Sequence, residues 1–257
     1  MTQGYSHGEL PLYYETHGSP RGDRPSLLLI HGGGSTIESN WGLLIPSLAG
    51  GREIIALEWQ GHGRTGTIDR VPSFEATADD IAVLLDELGR GPVDVLGFSN
   101  GGQIAMQLAV RRPELVHRLI AASAPYRPDG MIDGFWAGLE GATFADLPHP
   151  YVEADLAVSG DPAHVRQLFD LDRTLMLSFT AWPDALPASI TAPTLVVGGD
   201  RDVVTTQHLA RLARLIPGAR LLIVPGTHGS YLGEVLDGSQ AELDRTLPHL
   251  IEFLDAD

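Results

Sequence analysis

The chain has 257 residues, 43% of them hydrophobic and 19% charged, which suits one large globular domain, with or without an inserted segment, and not a disordered tail. Its 33 acidic against 17 basic residues leave a net charge of −16 with no basic run, which argues against nucleic acid and anionic membrane surfaces as partners, because both are gripped by clustered cations. There is no cysteine, and all 17 basic residues are arginine; disulfides, thiolate and zinc-thiolate chemistry, Schiff-base lysines and phosphate-loop lysines are thereby excluded.

In chain order, ELPLYYET (9–16) reads as an antiparallel edge strand. SLLLI (26–30), EIIAL (53–57), VDVLG (93–97), RLIAAS (118–123), TLVVG (194–198) and RLLIVP (220–225) are short, nearly continuous apolar runs, the pattern of strands buried on both faces. Helical periodicity lies between them. In SFEATADDIAVLLDELG, Phe74, Ala78, Ile81, Leu85 and Leu88 recur at three- and four-residue steps, with Ser73 as N-cap and Gly89 as stop. Residues 100–112 form a helix ended by Pro113, 205–216 one opened by Thr205, and 240–255 a final helix with a kink expected at Pro248. The alternation predicts an α/β fold with a mostly parallel sheet flanked by helices.

One stretch breaks this rhythm. About 70 residues separate the strand ending near Ser123 from the one at Thr194, far more than a crossover needs. Of the chain's seven Phe, four Trp and six Tyr, eight fall between Tyr126 and Trp182. The expectation is a single domain over 1–257 with a helical lid inserted at about 126–190, some of whose aromatics touch a ligand. Phe98, Trp136, Phe144 and Trp182 are the candidates for that contact, and the implied partner is a small molecule with apolar bulk.

The chemistry centres on Ser99. VDVLG leads into Gly97-Phe98-Ser99-Asn100-Gly101, and a helix follows: G-x-S-x-G on a strand–turn–helix, where glycines let strand and helix pack closely and the serine projects beyond the sheet's C-terminal edge. His31-Gly32-Gly33-Gly34 follows the strand SLLLI and can offer bare amides to a developing oxyanion. Gly33 is the expected donor, with Gly34 the alternative, beside the amide of Asn100. His31 reads as a packed residue. His228, in VPGTHGSYLGE, follows the last strand and would reach the same edge as a general base, and GGDRDVVT offers Asp200 and Asp202 as its acid. The order is Ser, Asp, His.

Together these pieces resemble the α/β-hydrolase superfamily, and the resemblance spans essentially the whole chain. It implies a serine hydrolase of small or medium carboxylic esters or lactones, without cofactor or metal, working through an acyl-enzyme on Ser99. The family's acid loop, three residues after a glycine, implies Asp202 as the acid. Carbon–carbon bond hydrolases and perhydrolases share the serine and are the alternatives; the former usually carry tryptophan just after the histidine, which GTHGSYLGE lacks. A non-turnover binding protein is the reading from another class. Glu58-Trp59-Gln60-Gly61-His62-Gly63 resembles a loop that usually reads Asp-x-Arg-Gly-His-Gly; Glu58 and Gln60 depart from it, and His62 reads as structural. Gly61, Gly63 and Gly66 spell a dinucleotide fingerprint, but no helix opens there as that motif requires. No metal-ligand spacing occurs. Without a basic or apolar leader-like start, the expected location is cytoplasmic.

Overall fold

The computed structural model describes residues 1–22 and 24–256. The chain opens with strands β1 (Thr2–Tyr5), β2 (Tyr13–His17) and β3 (Leu27–Ile30), then the short helices α1 (Ile37–Trp41) and α2 (Leu44–Leu48). Next come β4 (Ile54–Glu58), α3 (Phe74–Glu87), β5 (Val93–Phe98), α4 (Asn100–Arg111) and β6 (Val116–Ala122). Four helices follow before the sheet resumes: α5 (Phe135–Gly141), α6 (His149–Ser159), α7 (Pro162–Ser178) and α8 (Ala185–Ala188). Then β7 (Thr194–Gly199), α9 (Thr206–Leu215), β8 (Arg220–Val224) and α10 (Gln240–Leu254) complete the order.

The eight strands form one sheet in the order β1-β2-β4-β3-β5-β6-β7-β8, antiparallel at β1–β2–β4 and parallel from β4 onward. This is the α/β-hydrolase architecture. The strand read over 9–16 is shorter, and β1, not β2, is the sheet's edge. TQGY carries no apolar pattern to announce a strand; pairing with β2 makes it one.

Alternation along each strand divides the core. Leu28 and Ile30 of β3 pack toward Ala78, Ile81 and Leu108 of α3 and α4. Leu27 and Leu29 pack toward Trp41, Leu44 and, from α10, Leu243 and Phe253. With both faces covered, every residue of β3, β4 and β5 is buried, so their sequences run apolar instead of alternating. Ser73 accepts the Ala76 amide at 3.1 Å and caps α3 as its position predicts, a contact contributing about 1 kcal/mol. α1 and α2, five residues each, are too short to leave a periodic signature. Pro248 lies within α10. No helix among the described residues is long and apolar enough to cross a membrane.

At the N-terminal edge of the parallel strands, Arg52 Nη1 reaches Asp94 Oδ2 at 2.8 Å and Nη2 meets Asp255, while His117 Nδ1 lies 2.7 Å from Asp94 Oδ1. Buried guanidinium and carboxylate thus fasten the chain's end to the start of β5.

Helix α9 holds a second buried titratable group. His208 Nε2 accepts the Tyr126 amide at 3.1 Å, and its ring stacks on that tyrosine at 4.8 Å. Burial lowers its pKa to about 4. A histidine depressed from its unfolded value binds fewer protons folded than unfolded, so its stabilisation is full above about pH 6.5 and is lost as pH falls toward 4. Urea unfolding at about pH 7 and 4.5 should show His208→Gln losing on the order of 2–3 kcal/mol less than wild type over that interval; equal losses would show that His208 does not carry this pH dependence.

Candidate active site

Strand β3 lies between β4 and β5, so the chain leaves it in one direction and returns on its other flank. Such a switch opens a crevice beyond the strand ends. Here it sets the turn after β3 against the turn after β5. A Cβ on Gly32 would stand 3.2 Å from the Ser99 Cβ and 3.0 Å from the Phe98 ring.

The turn after β5 is strained. Ser99 has φ 55° and ψ −121°, outside the regions open to ordinary L-residues. Glycine makes this geometry possible. A Cβ at Gly97 would lie 2.2 Å from the Gly101 carbonyl, and one at Gly101 would lie 2.1 Å from the carbonyl of Ile30. The structure thus gives a steric reason for both glycines of the motif.

Ser99 Oγ donates to His228 Nε2 at 3.0 Å, and His228 Nδ1 donates to Asp202 Oδ1 at 2.7 Å. The three candidates from the ends of β5, β7 and β8 therefore meet. Asp200 does not join them: its Oδ1 accepts the Gly226 amide at 2.9 Å and ties the two loops together. The Asp202 side chain is buried. Burial alone would raise its pKa, but His228 and the hydrogen bonds from His228, Ser123 and the Val204 amide outweigh that and hold it below the usual carboxylate value. Ser123 was not anticipated from sequence. It directly follows β6 with φ 50°, donates to Asp202 Oδ2 and accepts from the Tyr231 hydroxyl at 2.7 Å. A serine directly after an apolar strand at this edge was its one sequence signal.

Among the described residues, the amides of Gly33 and Asn100 have no protein acceptor, and both residues border the cavity above Ser99. Gly34 differs. Its amide donates to Asp172 Oδ2 at 2.5 Å, and His62 Nε2 lies 3.2 Å from the same oxygen. Asp172 belongs to α7, so the insertion is fastened directly to the glycine turn. Its position amid DLDRTLML gave no signal beyond a charge beside apolar residues. His31 is fully buried, and burial keeps its pKa well below the ordinary value, consistent with a packed neutral ring.

The cavity over Ser99 has a volume of about 350 Å³. Helices of the insertion supply most of its apolar wall, with Phe135, Leu139, Tyr151, Phe169 and Met176 among the lining residues. The four side chains expected to meet the ligand lie elsewhere. Phe98 is buried behind His228, ring centroids 4.7 Å apart. Trp136 turns its indole N–H to the Pro128 carbonyl at 2.8 Å. Phe144 packs behind Phe169, with the Arg166 guanidinium 4.3 Å over its ring. Trp182 packs edge-on against Phe74 and Phe179, anchoring the insertion to α3. The aromatic excess therefore divides between the cavity wall and the insertion's own packing.

Gln103 adds a polar element to that wall. It lies on α4 one turn after Ser99, is fully buried, and neither atom of its carboxamide has a partner among the described residues. Leaving such groups unpaired costs on the order of 1–3 kcal/mol each. The loop at 58–63 is structural. Glu58 accepts from the Arg64 amide at 2.6 Å and Arg64 Nη1 at 2.8 Å, and its carboxylate occupies the space a Cβ on Gly63 would need. Gln60 accepts from Arg70 at 2.7 Å, and the Trp59 and His62 rings pack at a tilt of 39° with centroids 3.7 Å apart. No group of three or more His, Asp or Glu side chains placed to hold a metal occurs among the described residues.

Known proteins similar to this chain include several hydrolases. The "Putative carbamate hydrolase RutD" of Azorhizobium caulinodans is 28% identical over 94% of this chain and 99% of its own. The 2-(acetamidomethylene)succinate hydrolase of Mesorhizobium japonicum is 28% identical over 92% of this chain and 90% of its own. Among solved structures, the 2-hydroxy-6-oxo-6-phenylhexa-2,4-dienoate hydrolase of Rhodococcus sp. strain RHA1 superposes with a TM-score of 0.81 at 21% identity, covering 99% of each chain. Residues 27–235 match the Alpha/beta hydrolase family, and the chain belongs to that family.

Proposed function

We propose that the protein is a serine hydrolase that cleaves a small or medium carboxylic ester or lactone with apolar bulk, through an acyl-enzyme on Ser99. The observation that carries this reading is the continuous relay from Ser99 Oγ through both nitrogens of His228 to Asp202. The relatives named for hydrolysis support the hydrolytic class, and the apolar cavity supports the substrate's character.

In the first half-reaction His228 Nε2 takes the Ser99 proton as Oγ bonds to the carbonyl carbon, and Asp202 stabilises the imidazolium that forms. The carbonyl oxygen becomes an oxyanion against the Gly33 and Asn100 amides. His228 then protonates the departing alcohol oxygen, leaving the ester on Ser99. In the second half-reaction His228 takes a proton from water, the resulting nucleophile attacks the acyl carbon, and Ser99 recovers its proton as the acid leaves. No cofactor or metal enters any step. The carbon–carbon alternative has less support: Gly229, which follows His228, has φ 82°, and a Cβ there would meet Phe98 at 2.7 Å, leaving no room for the tryptophan usual at that position.

Ser99→Ala should abolish turnover of p-nitrophenyl esters and labelling by a fluorophosphonate probe while leaving the melting temperature within a few degrees; a Ser99→Ala protein that still turns over ester would sink the serine mechanism. Asp202→Asn removes the charge paired with His228 and favours the wrong tautomer, so kcat should fall roughly 10³–10⁴-fold, against less than about tenfold for Asp200→Asn. The reverse ranking would reassign the acid. Because His228 must be neutral to accept a proton, kcat/KM should decline on the acid side; a profile flat down to about pH 4.5 would remove histidine as the base.

A further inference from the structure

The cavity wall is mostly apolar, and two of its polar residues, Gln103 and Asp172, keep buried atoms without a partner among the described residues. Gln103 is fully buried and borders the cavity, and its Oε1 and Nε2 are both without partners among the described residues. Asp172, also in the wall, spends Oδ2 on the Gly34 amide, and its buried Oδ1 has no partner among the described residues. Gln103 lies four residues after Ser99, about 6 Å along the helix axis. Side chains on a helix tilt toward its N-terminus, so Gln103 shares a face with Ser99 and leans back toward it. A buried carboxamide with no protein partner is a stable arrangement when a ligand completes it.

We propose that Gln103 and Asp172 Oδ1 select substrates carrying an uncharged amide a few bonds from the scissile carbonyl. The inference rests on the hydrolase reading above and names the substrate class of the same site. Gln103 offers N–H donors and a carbonyl acceptor; Asp172 Oδ1 offers an acceptor. A ketone or ester in the substrate could satisfy only the donors of Gln103. An amide satisfies both senses, its C=O accepting from Gln103 Nε2 and its N–H donating to Gln103 Oε1 or Asp172 Oδ1. An anionic substituent fits poorly. The wall holds the carboxylates of Asp146 and Asp172, and its guanidinium, Arg173, directs Nε and Nη2 to the carbonyls of Leu139 and Glu140.

Four ethyl esters of matched acyl length separate the possibilities, with acid release followed by titration: N-acetylglycinate (amide), 4-oxopentanoate (ketone), pentanoate (neither) and hemisuccinate (carboxylate). Wild type should prefer N-acetylglycinate over pentanoate by roughly 10- to 100-fold in kcat/KM, with the ketone between them. Gln103→Leu should shrink the N-acetylglycinate-to-pentanoate ratio at least about tenfold, and Asp172→Asn should also lower it. A wild-type preference for pentanoate or hemisuccinate, or a ratio unchanged in a folded Gln103→Leu protein, would overturn the proposal. Where Gln103→Leu does not fold, calorimetric binding of the four esters to Ser99→Ala decides the matter, because binding is free of the esters' different intrinsic reactivities; equal binding of N-acetylglycinate and pentanoate overturns the proposal. Should no ester turn over, the hydrolase reading fails separately, and calorimetric binding of the same four esters to Ser99→Ala tests the selectivity by the same ordering.

Discussion

The site depends on how closely the start of α4 approaches the end of β3. The carbonyl of Ile30 occupies the position where any side chain on residue 101 would begin. That approach brings the glycine turn after β3 beside the serine turn after β5, so two free amides and a hydroxyl converge without a connecting loop. It also forces Ser99 into a backbone conformation that costs on the order of 1–3 kcal/mol, which the buried strands on either side must offset. Every residue of β3 and β5 is buried, and the two strands pair in parallel from Leu27 with Asp94 to Ile30 with Gly97. Strain at one turn is thus held by rigid neighbours.

The acid is built with the same economy of motion. Asp202 sits in a place where an isolated carboxylate would be costly, yet it accepts from His228, Ser123 and the Val204 amide. Asp200, two residues away, is exposed and braces the turn at Gly226. Two aspartates in one short loop therefore do different work because one faces the imidazole and the other faces backbone amides. Phe98 contributes from beneath, its ring supporting the face of His228, and a glycine after the histidine makes that contact possible.

The parts of this arrangement that follow from local pattern were legible in the sequence. The parallel strands showed as apolar runs, α3 by its period and cap, and the elbow by small residues between a strand and a helix. Contacts across the fold were not. Trp136 and Phe135 are neighbours in sequence, but Phe135 lines the cavity while Trp136 bonds a backbone carbonyl; helical phase and tertiary packing decide this, and aromatic count carries neither. Asp172 reads as an ordinary charge on a long helix until the fold carries that helix over the glycine turn. Gln103 sits in NGGQIAMQLAV, where one polar residue near a helix start looks unexceptional. β1 has no pattern of its own and exists through its partner.

The absence of lysine has a consequence at the floor of the sheet. There Arg52 joins Asp94 and Asp255, just past α10, and Arg118 donates to the Phe253 carbonyl. A guanidinium is not deprotonated in proteins, and its spread N–H groups let Arg52 reach two carboxylates at once, Nη1 to Asp94 and Nη2 to Asp255, where an ammonium offers a single point of charge. The guanidinium of that clasp therefore keeps its charge in alkali, whatever the state of His117 beside Asp94. At the opposite edge His228 lies between Ser99 and Asp202, where the proposed reaction would have its imidazole take and return a proton. One sheet thus carries a guanidinium that keeps its charge in base at its floor and, at its rim, an imidazole that the proposed reaction would protonate and deprotonate.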